Sequence, residues 1–208
     1  MAPTALSIKL KNALVNDFGQ DYWTSSTCKY DRGYEESSIF QYADRDQGLS
    51  IVTNPIHDLS NQSSPMEKVK SGNLSFQHAW QAVKDYQFDS NSSNVRILMP
   101  LGESNKMAGL KRNHWTTLMF TKDGSAWDAT LYDSKGFLDS LYSRQVIADA
   151  LSKEGIKLNY QFLGHQGLRS NSDCGYFSIA YILKALQGKN IADLTNQELS
   201  KKFIEFNK

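Results

Sequence analysis

The sequence predicts one α/β domain, because strand patterns and helix patterns follow one another in a chain that no linker divides. The 208 residues suffice for a single hydrophobic core, and contents of 40% hydrophobic and 12% aromatic residues are typical of a folded globular protein. The sequence contains no internal repeat and no Pro/Gly-rich segment. We therefore predict a single domain over residues 1–208.

The charge and the cysteine content restrict the partners and the compartment. A net charge of +1 and an isoelectric point near 7.7 give no basis for electrostatic binding to nucleic acid or to a membrane surface. Two cysteines in a chain of this length do not form a disulfide framework, which favours a reducing compartment. Residues 1–14 lack the apolar segment of a signal peptide, and no stretch is long enough to span a bilayer. We expect a soluble monomer.

The residue pattern in the first half of the chain predicts a helix, a group of short strands, a second helix and a longer strand. Residues 5–18 have the spacing of a short helix, whereas residues 22–65 show no clean period and predict short strands with loops. A capping serine followed by helically spaced apolar residues predicts an amphipathic helix over 75–86. The largely apolar run 95–101 predicts a strand, and the polar stretch 102–113 predicts a mobile loop.

A β-hairpin is predicted over residues 114–132, because strand patterns lie on both sides of the turn dipeptide Asp123-Gly124. If that dipeptide forms a two-residue turn, His114 lies directly opposite Asp133 at the open end of the hairpin. The two side chains then share one face of the sheet, with Cβ atoms roughly 5 Å apart. We therefore predict a His–Asp pair.

The last third of the chain predicts a helix and a strand, then an apolar helix and a surface helix. Residues 138–153 have the pattern of an amphipathic helix that stops before Gly155. Residues 158–163 alternate like a strand. Gly188 ends the apolar helix, and residues 193–206 predict a last surface helix.

The apolar helix begins at Cys174 and is the element most suggestive of function. Residues 174–186 are apolar on nearly every face, which predicts a buried central helix, and Asp173 or Ser172 supplies its N-cap. A thiol in the first turn faces unsatisfied N–H groups and the positive end of the helix dipole, which both favour the thiolate. Cys174 is therefore a candidate nucleophile, although most free cysteines are small buried hydrophobes.

Three further side chains fit a nucleophilic cysteine site. His114 is a candidate general base, Asp133 a group that orients its imidazole, and Gln166 an amide that can donate to an oxyanion. The motifs also have structural interpretations: an edge residue for His114, a turn residue for Asp133 and a helix cap for the run that contains Cys174. Only their conjunction favours chemistry over these alternatives.

Together these motifs resemble the clan CE cysteine peptidases, which include the ubiquitin-like-protein proteases (Ulp/SENP) and bacterial effector deubiquitinases. The matching residues are His114-Trp115 before a strand, Tyr132-Asp133-Ser134 at the end of the next strand, Gln166, and Asp173-Cys174-Gly175, in the family's order. They lie in residues 95–187, which would be the catalytic core. The resemblance implies an α/β (α+β) architecture with a central mixed sheet flanked by helices, the Ulp/adenain-like cysteine protease fold.

The resemblance also implies a role for each matching residue. Cys174 would be the nucleophile, His114 the general base and Asp133 the carboxylate that orients it. Gln166 would form the oxyanion hole with the backbone N–H of Cys174. Trp115 would cover the channel for a substrate's Gly-Gly tail, and its alternative interpretation is a core or rim aromatic. The implied reaction is hydrolysis of the C-terminal Gly–Lys linkage of ubiquitin or a ubiquitin-like modifier, without a metal or another cofactor.

Two departures from the eukaryotic enzymes favour a divergent member, similar to the effectors that bacteria secrete into the host cytosol. The spacing from Gln166 to Cys174 is two residues longer than in the Ulp/SENP enzymes. Their N-terminal tryptophan motif is missing, since Trp23 stands alone. Both departures argue against a SUMO or NEDD8 protease of the ordinary eukaryotic kind, and a SUMO- or NEDD8-specific protease is only the alternative to a deubiquitinase. Substrate recognition is expected in residues 20–65, because recognition surfaces fall on loops.

Three alternatives to this assignment stay open: another reaction, another nucleophile and a protein without enzymatic activity. A YopJ-like acetyltransferase shares the clan fold, but such enzymes usually carry a glutamate as the third residue and a basic patch for inositol hexakisphosphate. Here the third residue is Asp133, and the lysines are scattered. Cys28, with Gln20 before it, has papain-like order but no buried helix after it. A non-enzymatic module that binds a ubiquitin fold is the third. No CxxC or HExxH cluster predicts a metal site.

Overall fold

The structure is a mixed β-sheet with helices on both faces. The computed structural model describes residues 3–18, 24–28, 37–44, 48–53, 56–57, 94–107, 110–124, 126–135, 141–166 and 173–199. The predicted α/β class with a central mixed sheet flanked by helices is confirmed. A single domain with a catalytic core over 95–187 stays a prediction.

The helices and strands occur in the following order along the described residues. The helices are α1 (Pro3–Phe18), α2 (Leu141–Ser152) and α3 (Cys174–Leu186), followed by a 3₁₀ helix over Ile191–Asp193 and a helical turn over 196–199. The strands are β1 (Thr24–Cys28), β2 (Ser37–Asp44), β3 (Gly48–Thr53), β4 (Ile56–His57), β5 (Asn94–Met107), β6 (Leu110–Asp123), β7 (Ala126–Asp133) and β8 (Leu158–Phe162).

The eight strands form one sheet in the order β1-β2-β3-β5-β6-β7-β8, and the short β4 also pairs with β5. Strands β5, β6 and β7 are antiparallel neighbours, as are β1, β2 and β3. The β3–β5, β4–β5 and β7–β8 pairs are parallel. The sheet is therefore mixed, and the β5–β7 meander occupies its centre.

Two hydrophobic clusters cover the two faces of the sheet. One joins α1 and α3 to side chains that include Leu98 and Trp115. The other joins α2 to side chains that include Ile97 and Leu118. Because successive side chains of a strand point to opposite faces, neighbouring residues of β5 belong to different clusters. Helix α3 is buried at eleven of its thirteen positions, which confirms the predicted buried central helix.

Polar contacts tie α3 to the sheet at its middle and at its last turn. The hydroxyl groups of Thr117 in β6 and Ser178 in α3 lie 2.7 Å apart, and Ser178 also donates to the carbonyl of Thr116 at 3.2 Å. At the last turn, Arg96 of β5 donates to the carbonyl of Ala185 at 2.8 Å. These contacts fix the position of α3, and with it the position of Cys174, relative to β6.

Most of the predicted elements are present in the described part of the chain. The predicted helices 5–18 and 138–153 correspond to α1 and α2, and the strand predicted over 158–163 is β8. The predicted helix over 75–86 lies outside the described residues. Gly188 has a φ of 77°, the conformation expected after a helix end, and the chain beyond it is described only as far as residue 199.

The predicted register of the β6–β7 hairpin is wrong by two residues. Asp123 pairs with Ala126, so the turn falls one residue later than predicted, with Gly124 at a φ of 59°. On this register, Thr116 is the position opposite Asp133, and His114 lies two residues further along. Because side chains alternate with a period of two, His114 and Asp133 still share a face. They are diagonal neighbours across the hairpin.

The predicted mobile loop over 102–113 is also wrong in the part that is described. Strand β5 continues to Met107, and β6 begins at Leu110, with pairing from Gly102–Trp115 to Met107–Leu110. Polar composition suggested a loop, but backbone pairing does not depend on apolar side chains.

In the described part of the chain, no helix is both long and apolar enough to cross a bilayer.

Removing the hydroxyl of Ser178 is expected to destabilise the protein by about 1–2 kcal/mol, because a buried hydrogen bond between α3 and β6 is lost. Urea unfolding of Ser178→Ala measures this loss. Ser152→Ala is the matched control, since its exposed hydroxyl donates only to the carbonyl of Asp149 nearby in α2. The control is expected to change stability by less than about 0.5 kcal/mol. Equal losses in both variants would contradict the account.

Candidate active site

Cys174 is the first residue of α3 and lies buried beneath the open end of the β6–β7 hairpin. Asp173 occupies the N-cap position, but its side chain makes no capping hydrogen bond, so the predicted side-chain cap by Asp173 is not observed. The first helical hydrogen bond runs from the N–H of Phe177 to the carbonyl of Asp173 at 3.1 Å. Cys174 is 2% exposed, and its thiol lies at the positive end of the helix dipole, as predicted.

His114 and Asp133 form the predicted pair, although they are diagonal and not directly opposite. The Nε2 atom of His114 lies 2.8 Å from Oδ1 of Asp133, and both residues are buried. A carboxylate only accepts, so Nε2 carries the proton and donates it. Nδ1 is the ring nitrogen that remains, and among the described residues no nitrogen or oxygen atom is bonded to it. The imidazole also interacts with the side chain of Cys174, which joins this candidate nucleophile to the His–Asp pair.

The carboxylate of Asp133 receives two further hydrogen bonds. The backbone N–H of Lys135 donates to Oδ1 at 2.9 Å, and the hydroxyl of Tyr160 donates to Oδ2 at 3.0 Å. The guanidinium of Arg144 lies 3.9 Å from the centroid of the Tyr160 ring. Sequence reasoning missed Tyr160. The strand pattern over 158–163 was the only available signal, and that pattern does not show which strand lies beside it.

Burial and hydrogen bonding act in opposite directions on the Cys174–His114 pair. Burial lowers the pKa of His114, but hydrogen bonds and charges from Asp133 and Cys174 outweigh it and raise the pKa from 6.5 to about 9. Burial raises the pKa of the Cys174 thiol. The hydrogen bond and positive charge of His114, with a backbone hydrogen bond from Trp115, outweigh burial and lower that pKa below its ordinary value. Both shifts favour the thiolate–imidazolium pair over the neutral pair.

Gln166 is buried and is attached to the residue that follows Asp133. Its backbone N–H donates to the carbonyl of Ser134 at 2.8 Å, and its side-chain Oε1 accepts from the hydroxyl of Ser134 at 3.2 Å. A third bond, from the N–H of Leu163 to the carbonyl of Asp133 at 2.9 Å, joins the same two segments. Gln166 is thus bonded to Ser134, the residue next to Asp133, and Asp133 in turn is bonded to His114.

His165 attaches the segment that carries Gln166 to α3. Its Nδ1 accepts from the hydroxyl of Tyr181 at 2.8 Å, and its Nε2 donates to the carbonyl of Leu194 at 2.9 Å. The imidazole also stacks on Phe177, with ring centroids 6.3 Å apart. Burial lowers the pKa of His165, so the neutral ring that these contacts need is favoured. Gln166 therefore follows a residue that packs on the first two turns of the nucleophile's helix.

Trp115 is one of the largest fully buried side chains, with 1% of its surface exposed. It belongs to the same hydrophobic cluster as Cys174, which agrees with its interpretation as a core aromatic. Contact of Trp115 with a substrate tail stays a prediction. Among the described residues, no cluster of three or more potential metal ligands occurs. Cys28 lies in β1, where only the backbone is described.

The fold and the site together define a mixed α/β protein that holds a cysteine, a histidine and an aspartate in contact at the start of a buried helix. No family model matches the sequence, and none of the curated proteins matches it. The classification therefore depends on the likeness of the fold to solved structures.

The fold is similar to that of RavZ, an effector protein of Legionella pneumophila. One RavZ crystal structure has a TM-score of 0.58 and 14% sequence identity, with coverage of 99% of this chain and 63% of that chain. A structure of RavZ in complex with human LC3B has a TM-score of 0.56 and 15% identity, with coverage of 99% and 59%. This chain therefore spans about three fifths of the RavZ chains, and the likeness shows a shared fold.

Replacing Asp133 by asparagine is expected to raise the pH at which Cys174 becomes reactive. The substitution removes the charge that keeps His114 protonated, so the pKa of His114 falls and the thiolate loses its cationic partner. The midpoint of alkylation by iodoacetamide is expected to rise by roughly one pH unit, which makes the reaction about tenfold slower at a pH well below both midpoints. Mass spectrometry of the Cys174 peptide across a pH series measures this rate.

The matched control for this experiment is Asp149→Asn, because Asp149 is an exposed carboxylate on α2. Its pH profile is expected to coincide with that of the unmodified protein. If Asp133→Asn also left the profile unchanged, Asp133 would have no role in activating the thiol.

Proposed function

We propose that this protein is a cysteine isopeptidase that hydrolyses the amide bond after the C-terminal glycine of a ubiquitin-like protein. The observation that carries the proposal is the buried 2.8 Å bond between His114 and Asp133, in a pair that lowers the pKa of Cys174. A thiolate at a helix N-terminus beside an oriented imidazole is the arrangement that nucleophilic catalysis by cysteine requires.

The proposed substrate class has two sources of support. The motif order His114, Asp133, Gln166 and Cys174 resembles that of clan CE peptidases, which act on ubiquitin and its relatives. RavZ has been crystallised with human LC3B, which is a ubiquitin-like protein. We therefore propose that ubiquitin or another ubiquitin-like protein is the partner, and that LC3B belongs among the candidates. The likeness to a Legionella effector also supports the proposal that the protein acts inside a host cell.

The proposed reaction begins with attack of the Cys174 thiolate on the carbonyl carbon of the substrate's terminal glycine. The carbonyl oxygen becomes an oxyanion, which accepts hydrogen bonds from the Gln166 side chain and the Cys174 backbone N–H. Each such donor contributes about 3 kcal/mol to lowering the barrier. The bond between the glycine carbon and the lysine nitrogen then breaks. The imidazolium of His114 gives its proton to the departing amine, which leaves a thioester on Cys174.

Hydrolysis of the thioester completes the cycle. His114 takes a proton from a water molecule as that water attacks the thioester carbon. The bond between carbon and sulfur breaks, the thiolate–imidazolium pair is restored, and the product leaves as a carboxylic acid that loses its proton to the solvent. Asp133 keeps the imidazole oriented throughout and stabilises its charged form, so no other acid, base or metal is required for the proposed steps.

The proposal also assigns the parts of the chain that contact the substrate. Residues 20–65 are proposed to carry substrate recognition, and β1, β2, β3 and β4 lie in this region. Trp115 is proposed to line the path of the substrate tail with its backbone, since its indole is buried in the core. Extended tails bind readily to strand backbone, because the backbone groups supply hydrogen bonds regardless of sequence.

Labelling with C-terminal electrophile probes of ubiquitin, SUMO, NEDD8 and LC3B tests the proposed function directly. At least one probe is expected to form a covalent adduct with the unmodified protein, because the thiolate attacks where the terminal carbonyl would lie. Cys174→Ala is expected to abolish the adduct completely. Intact-mass measurement detects it, and diubiquitins of each linkage then define specificity if the ubiquitin probe reacts.

Cys28→Ala is the matched control, and it is expected to keep full labelling. An adduct that persists in Cys174→Ala but disappears in Cys28→Ala would reverse the assignment of the nucleophile. If no probe reacts while iodoacetamide still alkylates Cys174, the isopeptidase proposal is wrong. Transfer of an acetyl group from acetyl-coenzyme A to a protein substrate would then identify the acetyltransferase alternative.

A further inference from the structure

Ser134 is a buried polar residue with two hydrogen bonds to Gln166 and no assigned part in the proposed mechanism. Its carbonyl accepts from the Gln166 backbone N–H at 2.8 Å, and its hydroxyl donates to Oε1 of the Gln166 side chain at 3.2 Å. The first bond sets where the Gln166 backbone lies. The second acts on the side-chain amide.

The second bond restrains the Gln166 amide at the end of β7. A primary amide has a carbonyl oxygen that only accepts and a nitrogen that only donates, at opposite sides of one planar group. While Oε1 accepts from the Ser134 hydroxyl, Nε2 is directed to the other side. Loss of that hydroxyl removes this restraint on the rotation of the amide, so its N–H groups are less well aligned for donation to an oxyanion.

We propose that Ser134 is a positioning residue that orients the Gln166 amide for donation to the oxyanion. The inference rests on the proposed function, because only acyl transfer creates that oxyanion. Ser134 directly follows Asp133, so one dipeptide at the end of β7 orients the general base through Asp133 and the oxyanion donor through Ser134.

The position of Gln166 near the nucleophile has independent support on the other side. The preceding residue, His165, stacks on Phe177 of α3 and bonds to Tyr181 of the same helix. The negative charge of Asp133 contributes, after burial, to raising the pKa of Tyr181, so these groups lie within electrostatic range of one another. The segment that carries Gln166 is therefore held between the end of β7 and the helix of Cys174.

Two reactions of Cys174 separate a role in orienting the amide from a role in activating the thiol. Turnover of p-nitrophenyl acetate passes through an oxyanion, whereas alkylation by iodoacetamide does not. Ser134→Ala is expected to lower kcat for the ester about tenfold, less than the roughly 100-fold or greater loss from deleting an oxyanion donor in Gln166→Ala. KM and the pH profile of alkylation are expected to stay unchanged in both variants.

The kcat of a double variant that combines Ser134→Ala with Gln166→Ala separates the proposed role from a general structural effect. If Ser134 acts through Gln166, the Ser134→Ala change has no further effect in a Gln166→Ala background. Ser152→Ala serves as the control for loss of a hydroxyl and is expected to match the unmodified protein. Thermal unfolding of each variant shows whether it is folded at the assay temperature. If Ser134→Ala does not fold, Ser134→Thr, which keeps the hydroxyl, is compared with Ser134→Val, its closest isostere without it.

Each remaining outcome counts against a specific proposal. Additive losses in the double variant, or an alkylation profile that changes in Ser134→Ala, would overturn the positioning role. Unchanged kcat in Ser134→Ala would do the same, as would unchanged kcat in Gln166→Ala. In these cases the isopeptidase proposal stands as long as turnover depends on Cys174. Absence of any turnover that depends on Cys174 would instead contradict the proposed function itself.

Discussion

The buried hydrogen bond between His114 and Asp133 is the contact on which the arrangement of the site depends. A buried carboxylate is costly unless it is paired, and Asp133 is 0% exposed. Donors from His114, the Lys135 backbone and Tyr160 meet this requirement. The charge retained on Asp133 then keeps His114 protonated, and the imidazolium favours the thiolate of Cys174. Removing the carboxylate would therefore change the ionisation of two other groups.

The components of the site could be predicted from the sequence more reliably than their contacts. The apolar run after Cys174 predicted a buried helix, because a segment that is apolar on every face has no favourable place at the surface. The shared face of His114 and Asp133 was also predictable, since it depends only on the period of two in a strand. Their register was not, because it is decided by which residue of the turn adopts a positive φ, and here that residue is Gly124.

Contacts between segments far apart in the chain were beyond sequence reasoning. The bond from Tyr160 to Asp133 requires β8 to lie parallel to β7. The bond from Ser134 to Gln166 requires the residues after β8 to lie beside the residues after β7. No local pattern encodes either requirement. The extension of β5 and β6 through 102–113 was missed for a related reason. Its polar residues favour a loop locally, whereas pairing between two neighbouring strands stabilises the extended backbone.

The hairpin turn at Gly124 fixes the relative positions of two residues that lie far from it. About 33 Å of extended strand separates this turn from His114, at roughly 3.3 Å per residue. A slip of one residue in pairing would carry His114 to the opposite face of the sheet, while a slip of two would keep the face and change the reach to Asp133. The number of residues in a remote surface turn thus sets the distance between His114 and Asp133, even though no atom of that turn lies near either side chain.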